Sequence, residues 1–240
     1  MEKSNQLIEL AKSIELEIEE KDAKKIIEYM MAILEKNKNV NLTAIKNEDE
    51  FLKKQIIDSL MLLTQKDVKQ AKSIIDVGTG AGFPGIPLAI AMPNTEFLLI
   101  DSLKKRLIII EELCEKFDIS NVKIVHARAE MLGKTVEHRE QYDLCVSKAV
   151  APLNVLVEYC IPFVKLGGSL YAYKGGNVAD ELKNSPTAVK KLGGSKPFII
   201  NSKYSGISGL ENHNILKIKK IKKTPLIYPR KEGVPAKEPL

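Results

Sequence analysis

The stretch DVGTGAGFPG, residues 76–85, sets Gly78, Gly80, Gly82 and Gly85 behind one carboxylate, Asp76. Closely spaced glycines let a backbone turn sharply and approach a ligand without Cβ clashes. From Gly80 the spacing reads G-x-G-x-x-G, a dinucleotide fingerprint that is weak on its own. From Asp76 it reads D-x-G-x-G-x-G, and the choice between the two depends on the surrounding residues.

Asp101 closes the run EFLLID about 20 residues after the loop, where a carboxylate would hold a ribose diol. NAD and S-adenosylmethionine both carry that ribose. Asp76 separates them: it suits a cationic amino or sulfonium end and repels a pyrophosphate. Its alternative role is to cap the turn's own amides. In HARAE, Ala129 and Glu130 would stand at the height of an adenine edge, with a solvated glutamate at a helix start as the other reading. KLGGSLYAYK resembles the Gly-Gly hairpin before the fifth strand of S-adenosylmethionine methyltransferases. Together these residues favour S-adenosylmethionine over NAD.

The acceptor is narrowed by what is missing. Methylation at a cytosine carbon requires a cysteine nucleophile. Cys145 in DLCVSK lacks the preceding proline of such sites, and its alternation pattern points to the core. Methylation of an exocyclic amine usually uses an Asn/Asp-Pro-Pro-aromatic loop, which SKAVAPL is not. An acceptor nitrogen with an in-plane lone pair and no proton would need neither.

A doubly wound α/β fold would position these residues. Residues 1–70 contain no glycine or proline and repeat apolar residues at helical spacing, as in Ile26, Met30, Ile33 and Leu34. They are expected to form an N-terminal helical extension, broken at NKNVNLTAI (37–45) by a capped loop, and residues 71–240 the main domain. SIIDVG, EFLLID, VKIVHA and YDLCVSKA read as four near-continuous apolar strands alternating with helices at 84–91, 104–117 and after Ala129. LNVLVEYCIPFVKLGG then reads as a helix closed by Gly167 and Gly168, and SLYAYKGG as a fifth strand. PFIINSKY and HNILKIKKIKK read as an antiparallel pair at the sheet edge.

The formal charge of +6 and pI near 9.0 fit an anionic partner. Seven basic residues and no acidic one lie from Lys217 to Lys231. Those in KIKKIKK fit RNA contact or a solvated edge strand equally well. Phe83, Tyr171 and Tyr173 are the candidates for stacking on a base. Three widely spaced cysteines, Cys114, Cys145 and Cys160, fit neither a disulfide framework nor a metal site, and there is no signal-like start or membrane-length apolar run. A cytosolic monomer without metal is the expectation.

The chain resembles the bacterial 16S ribosomal RNA guanine-nitrogen-7 methyltransferases known as RsmG or GidB. NVNLTAI, QIIDSL, IIDVGTGAGFPGIPLAI, IDSLKKR, HARAE, VSKAVAPL, YAYKGG and YPRKEGVPAKEPL stand in that family's order across nearly all of the sequence. The resemblance implies a Rossmann-like methyltransferase sheet, S-adenosylmethionine as cofactor, and 16S ribosomal RNA or the small ribosomal subunit as partner. It implies cofactor contacts at Gly78, Phe83, Asp101, Ser102, Leu103, Ala129 and Glu130, joined by Asp76 and Gly80 from the loop chemistry. Two positions depart from the family: Lys148 stands where an arginine is typical, and Gln55 where many members have histidine. Lys148 is thus a candidate for both cofactor and substrate contact. Lys174, Arg230 and Lys231 are further candidates for placing the RNA, and Arg230 and Lys231 are expected to meet phosphate or the active site. Two other classes remain open: an NAD-dependent oxidoreductase, which lacks a hydride-relay histidine here, and a non-catalytic RNA-binding assembly factor. Titration with S-adenosylmethionine against NADH separates the first, and methyl incorporation into ribosomal RNA the second.

Overall fold

The computed structural model describes residues 2–176, 178–200 and 207–240. Seven strands form one sheet: β1 (Ser73–Val77), β2 (Glu96–Asp101), β3 (Val122–His126), β4 (Tyr142–Lys148), β5 (Val164–Gly175), β6 (Phe198–Ile200) and β7 (His213–Lys219). Their order is β3-β2-β1-β4-β5-β7-β6, and the strand order reverses between β1 and β4. The first five are parallel, whereas β7 is antiparallel to both β5 and β6. The four expected inner strands and the late antiparallel pair are all present. The part of PFIINSKY beyond Ile200 lies outside the described residues.

The strands bury alternate residues on opposite faces, as the twofold side-chain period requires. Ile74, Leu99, Val146 and Tyr171 join one core, and Ile75, Leu98, Cys145 and Leu170 the other. The first core is closed by the helices Glu2–Ser13 and Glu20–Asn37, which contribute Leu7, Ile26, Met30 and Ile33, all essentially fully buried. Each such side chain contributes roughly 1.5–3 kcal/mol by leaving water. The N-terminal helices therefore cover the sheet and share its core.

One expectation is corrected at the start of β5. The helix Leu153–Cys160 passes into a single 3-10 turn, Ile161–Phe163, because Pro162 cannot donate to a continuing helix. Val164 already pairs with Tyr142. The register then jumps so that Leu144 pairs with Ser169, and the Gly167-Gly168 segment bulges out inside the strand.

The direction of β7 also settles where its lysines lie. His213 pairs with Gly175 and Lys219 with Ser169, so the strand runs away from the carboxyl ends of the parallel strands. The KIKKIKK run consequently ends at the amino ends of the parallel strands, opposite the end that carries the glycine loop. Lys220 within it is 1% exposed and donates to Ile161 O and Thr224 Oγ1, with Glu140 Oε1 at 3.0 Å. Its charge serves the fold.

Candidate functional site

A cleft of about 500 Å³ opens at the carboxyl ends of β1, β2, β3 and β4, beside the point of strand reversal. Its floor is the glycine loop. Gly78, Gly80 and Gly82 adopt positive φ of 74°, 61° and 90°. A Cβ on Gly80 would meet nothing within 4 Å and would point into open space, whereas one on Gly78 would strike Val150 Cγ2 at 2.5 Å. Gly78 thus admits the loop after β4 as a wall, and Gly80 leaves room for a ligand.

The loop is braced from three sides. Gly78 and Thr79 amides donate to Ile100 O at 2.9 and 3.0 Å, and Tyr29 of the second N-terminal helix donates its hydroxyl to Ala81 O at 2.9 Å. Asp76 lies beneath, 0% exposed and outside the cleft lining. Its Oδ2 accepts from Thr79 Oγ1 at 2.8 Å and from the Gly85 amide at 2.9 Å, while Oδ1 has no hydrogen-bond partner. Burial pushes its carboxyl up to about 7, against the lowering effect of those two donors. The placement is that of a carboxylate holding the turn, the alternative already contained in its position before the glycines.

Asp101 reaches the cleft from the end of β2. Its Oδ2 accepts from the Gly80 amide at 2.9 Å and its Oδ1 from the Leu103 amide at 2.8 Å, which fixes the carboxylate and joins the two loops. Ser102, Leu103, Ala129 and Glu130 line the same cleft, and Phe83 forms part of it while packing edge-on against Phe51 and Tyr29. Glu130 is only 3% exposed, and the Gly233 amide of the C-terminal tail donates to its Oε1 at 3.0 Å. Gly78, Gly80, Phe83, Asp101, Ser102, Leu103, Ala129, Glu130 and Lys148 are therefore brought together.

Lys148 enters by its stem, and its ammonium is held from behind. Nζ donates to Lys54 O at 2.6 Å and meets Asp58 Oδ2 at 2.6 Å, with Asp58 itself 2% exposed. His213 Nδ1 lies 3.2 Å from the other oxygen of Asp58, so one carboxylate links β4, β7 and the helical extension. The extension supplies Asp58 through a π-helical segment, Leu52–Ile57, a geometry common near functional sites. A lysine reaches this carboxylate with one nitrogen, without the planar fork an arginine would bring. Gln55 lines the cleft from the same segment, and Leu42 and Thr43 close it from the loop after Asn37. Asn37 Oδ1 caps that loop by accepting from the Leu42 and Thr43 amides. Asp58, Arg106, Arg128 and Tyr159 were not named as candidates from the sequence, since they arrive on separate elements, and Gln55 was marked only as a departure from the family.

Three candidates lie elsewhere. Lys174 is 8% exposed and donates to Ala151 O at 2.6 Å, with Glu181 Oε2 at 2.7 Å, so it braces the loop after β4. Arg230 clasps Glu158, which is 0% exposed, through Nε at 3.0 Å and Nη2 at 2.6 Å, while its own amide donates at 2.7 Å. It anchors the tail where phosphate contact was expected. Lys231 is exposed, next to Glu232, whose Oε1 lies 3.0 Å from Arg128 Nε at the cleft. Tyr171 and Tyr173 are buried with hydroxyls donated to Asp67 and Ser59 O, so they present no ring to a base. Cys145 is fully buried against Cys160, and desolvation first and that neighbour second push its thiol well above its usual value.

The lining matches an adenosylated sulfonium. A fixed carboxylate stands at the ribose position and a second acid lies beyond Ala129. Phe83, Leu103 and Val150 are apolar, and the glycine turn leaves open space where a side chain would otherwise project. Among the described residues no helix is long and apolar enough to cross a membrane.

The family described as rRNA small subunit methyltransferase G (GidB) matches residues 22–206. The chain is 46% identical over its whole length to the ribosomal RNA small subunit methyltransferase G of Alkaliphilus oremlandii, covering 100% of each. It is 42% identical to the protein of that name from Clostridium perfringens, covering 95% of each. Among solved structures, an O-methyltransferase from Bacillus cereus in complex with SAH superposes with a TM-score of 0.53 at 16% identity, covering 81% of this chain and 91% of that one. A SAM-dependent O-methyltransferase from Thermotoga maritima gives 0.53 at 15% identity, with 80% and 72% covered. At such identities the likeness speaks for the fold, and the sequence relatives for the family. The chain belongs to the rRNA small subunit methyltransferase G family and is an S-adenosylmethionine-dependent methyltransferase.

Proposed function

We propose that the chain methylates nitrogen-7 of a guanine in 16S ribosomal RNA, acting as a monomer in the cytoplasm. The observation that carries the acceptor is the chemistry of the cleft walls. The carboxylates that line it, Asp101 and Glu130, are both hydrogen-bonded to backbone amides, and among the described residues neither histidine nor cysteine reaches it. A proton-bearing amine or a cytosine carbon needs a base or a thiolate, and nitrogen-7 needs neither. The three free thiols, all buried, agree with a reducing compartment.

Bound S-adenosylmethionine would supply an electrophilic methyl on a cationic sulfur. Asp101 would orient the ribose, Ala129 and Glu130 the adenine edge, and Phe83 and Val150 would exclude water. Alignment of this kind is the main contribution a protein makes to an in-line displacement. Arg106 and Arg128 line the rim and would draw the RNA backbone toward it. Mapping 7-methylguanosine in 16S ribosomal RNA from cells with and without this protein tests the reading. Loss of a different methylated nucleoside would replace the acceptor, and an unchanged map would leave the non-catalytic reading.

A further inference from the structure

Gln55 enters the cofactor cleft from the π-helical segment Leu52–Ile57, beside the carboxyl end of β4. Its backbone is fixed there. Gln55 O accepts from Ser59 Oγ and from the Asp58 amide, and the carbonyl before it, Lys54 O, accepts from Lys148 Nζ at 2.6 Å. Phe51, Leu52, Ile56 and Ile57 on either side are fully buried in the core, which holds the segment against the sheet. Of the polar side chains that the extension and β4 bring to this cleft, Lys148 is turned to Asp58 and Lys54 O, and Thr43 Oγ1 accepts from the Ile45 amide at 3.2 Å. The half-buried Gln55 carboxamide has no hydrogen-bond partner among the described residues.

The strand order sets which end of the cofactor it faces. A nucleoside with its adenine at Ala129 and Glu130, after β3, and its ribose at Asp101, which ends β2, extends across β1 and brings its sulfonium end toward β4. Gln55 lines the same cleft as Gly78, Lys148 and Ala149, so it shares one space with the transferring methyl. We infer that Gln55 seats the target base, its carboxamide N–H donating to O6 of the guanine; the inference rests on the proposed guanine acceptor. Guanine presents nitrogen-7 and O6 side by side on one edge, both as acceptors. Nitrogen-7 must keep its lone pair for the methyl. That pair forms the new N–C bond, the S–C bond pair stays on sulfur, and the positive charge passes to the base with no proton moved. A donor on O6 therefore orients this edge without occupying the reacting atom, and a neutral donor sets no cation beside the charge that develops. A turned carboxamide would accept from an adenine amine equally well, so Gln55 positions the base and does not by itself select guanine.

The test uses the full-length protein and small subunits reconstituted with 16S ribosomal RNA carrying 6-thioguanosine at the mapped guanine. Its sulfur is a weak acceptor, while N1–H, the 2-amino group and nitrogen-7 remain. The parent should lose about three- to tenfold in kcat/KM on the thio substrate, the range of one neutral hydrogen bond. Gln55→Leu should lose the same factor on guanosine but less than about twofold more on the thio substrate, with S-adenosylmethionine affinity within about twofold of the parent in titration. Gln55→His, which keeps an N–H, should stay closer to the parent than Gln55→Glu, which keeps the shape and sets a carboxylate against O6. That comparison stands on its own should Gln55→Leu fail to fold. Equal thio losses for parent and Gln55→Leu, or a Gln55→Glu protein as active as the parent, would overturn the assignment. So would a fall in cofactor affinity that accounts for the whole loss, which would place Gln55 at the methionyl end of the cofactor. If the parent makes no 7-methylguanosine, the acceptor reading fails; if it does and the Gln55 variants act normally, only this inference fails.

Discussion

Arg230→Ala should unfold this protein far more readily than a change at an ordinary tail position. Its guanidinium faces Glu158, a carboxylate with no solvent exposure on the helix Leu153–Cys160. Among the described residues, removing it leaves that carboxylate with the residue 230 amide as its one donor. Breaking one side of a buried pair costs about 3–5 kcal/mol, because the remaining charge is uncompensated. For a chain of this size each kcal/mol shifts Tm by roughly 2–4 °C, which gives a fall of roughly 6–20 °C. Arg230→Lys keeps the charge, loses the fork and should fall between. The control is Glu158→Gln with Arg230→Ala, which removes the orphaned charge and should recover much of the loss. Denaturant unfolding of parent, singles and double gives the coupling. A loss under 1 kcal/mol for Arg230→Ala, or strict additivity in the double, would refute the anchor and return Arg230 to the list of RNA contacts.

Gly80→Val should cut S-adenosylmethionine affinity at least tenfold, since its branched Cβ would project into the open cleft; the positive φ adds strain of order 1–3 kcal/mol. Unchanged titration in a folded variant would contradict the loop assignment. Replacing Arg106, Arg128 or Lys231 with Ala should each flatten the slope of log affinity for RNA against log salt by about one, while Lys222→Ala and Lys223→Ala, beyond the amino ends of the parallel strands, should leave it unchanged. Equal effects from both sets would place the RNA elsewhere. The buried Asp76 carboxyl is raised from its usual value to about 7, so its contribution to stability is full below about pH 4 and is lost as pH rises through 7. Compared with Asp76→Asn, the parent should therefore lose up to about 4 kcal/mol across that window, at about 1.4 kcal/mol per pH unit; parallel curves for the two proteins would argue against it. Single-turnover methylation at saturating substrate should stay nearly flat from about pH 6 to about pH 8.5, whereas a base would add its own titration limb.

The sheet and the glycine loop were legible because their signals are local. A strand shows its apolar run, a turn its glycines, and Asp101 its place at a strand end. The bulge within β5 was not legible, since Gly167-Gly168 serves a helix stop and a bulge equally well in sequence. Burial of Lys220 and the Arg230–Glu158 pair were hidden for another reason. A basic residue reads as solvated until its partner is known, and Glu158 lies far back in the chain on an apolar helix. The Asp58–Lys148 contact likewise joins residues brought together only by the extension packing on the sheet. Long-range ion pairs leave no periodicity to read.

The amide of Gly233 that binds Glu130 belongs to a residue made 103 positions later. A ribosome adds roughly 5–20 residues per second, and the growing chain can fold its earlier strands before its end emerges. The glycine loop and the strand ends are thus in place while the wall behind Glu130 is still missing. Completion of that wall waits for the last stretch to leave the exit tunnel. A frameshift after the codon for Arg230, which spares every strand and the Glu158 anchor, should thus yield a folded protein in which no Gly233 amide covers Glu130.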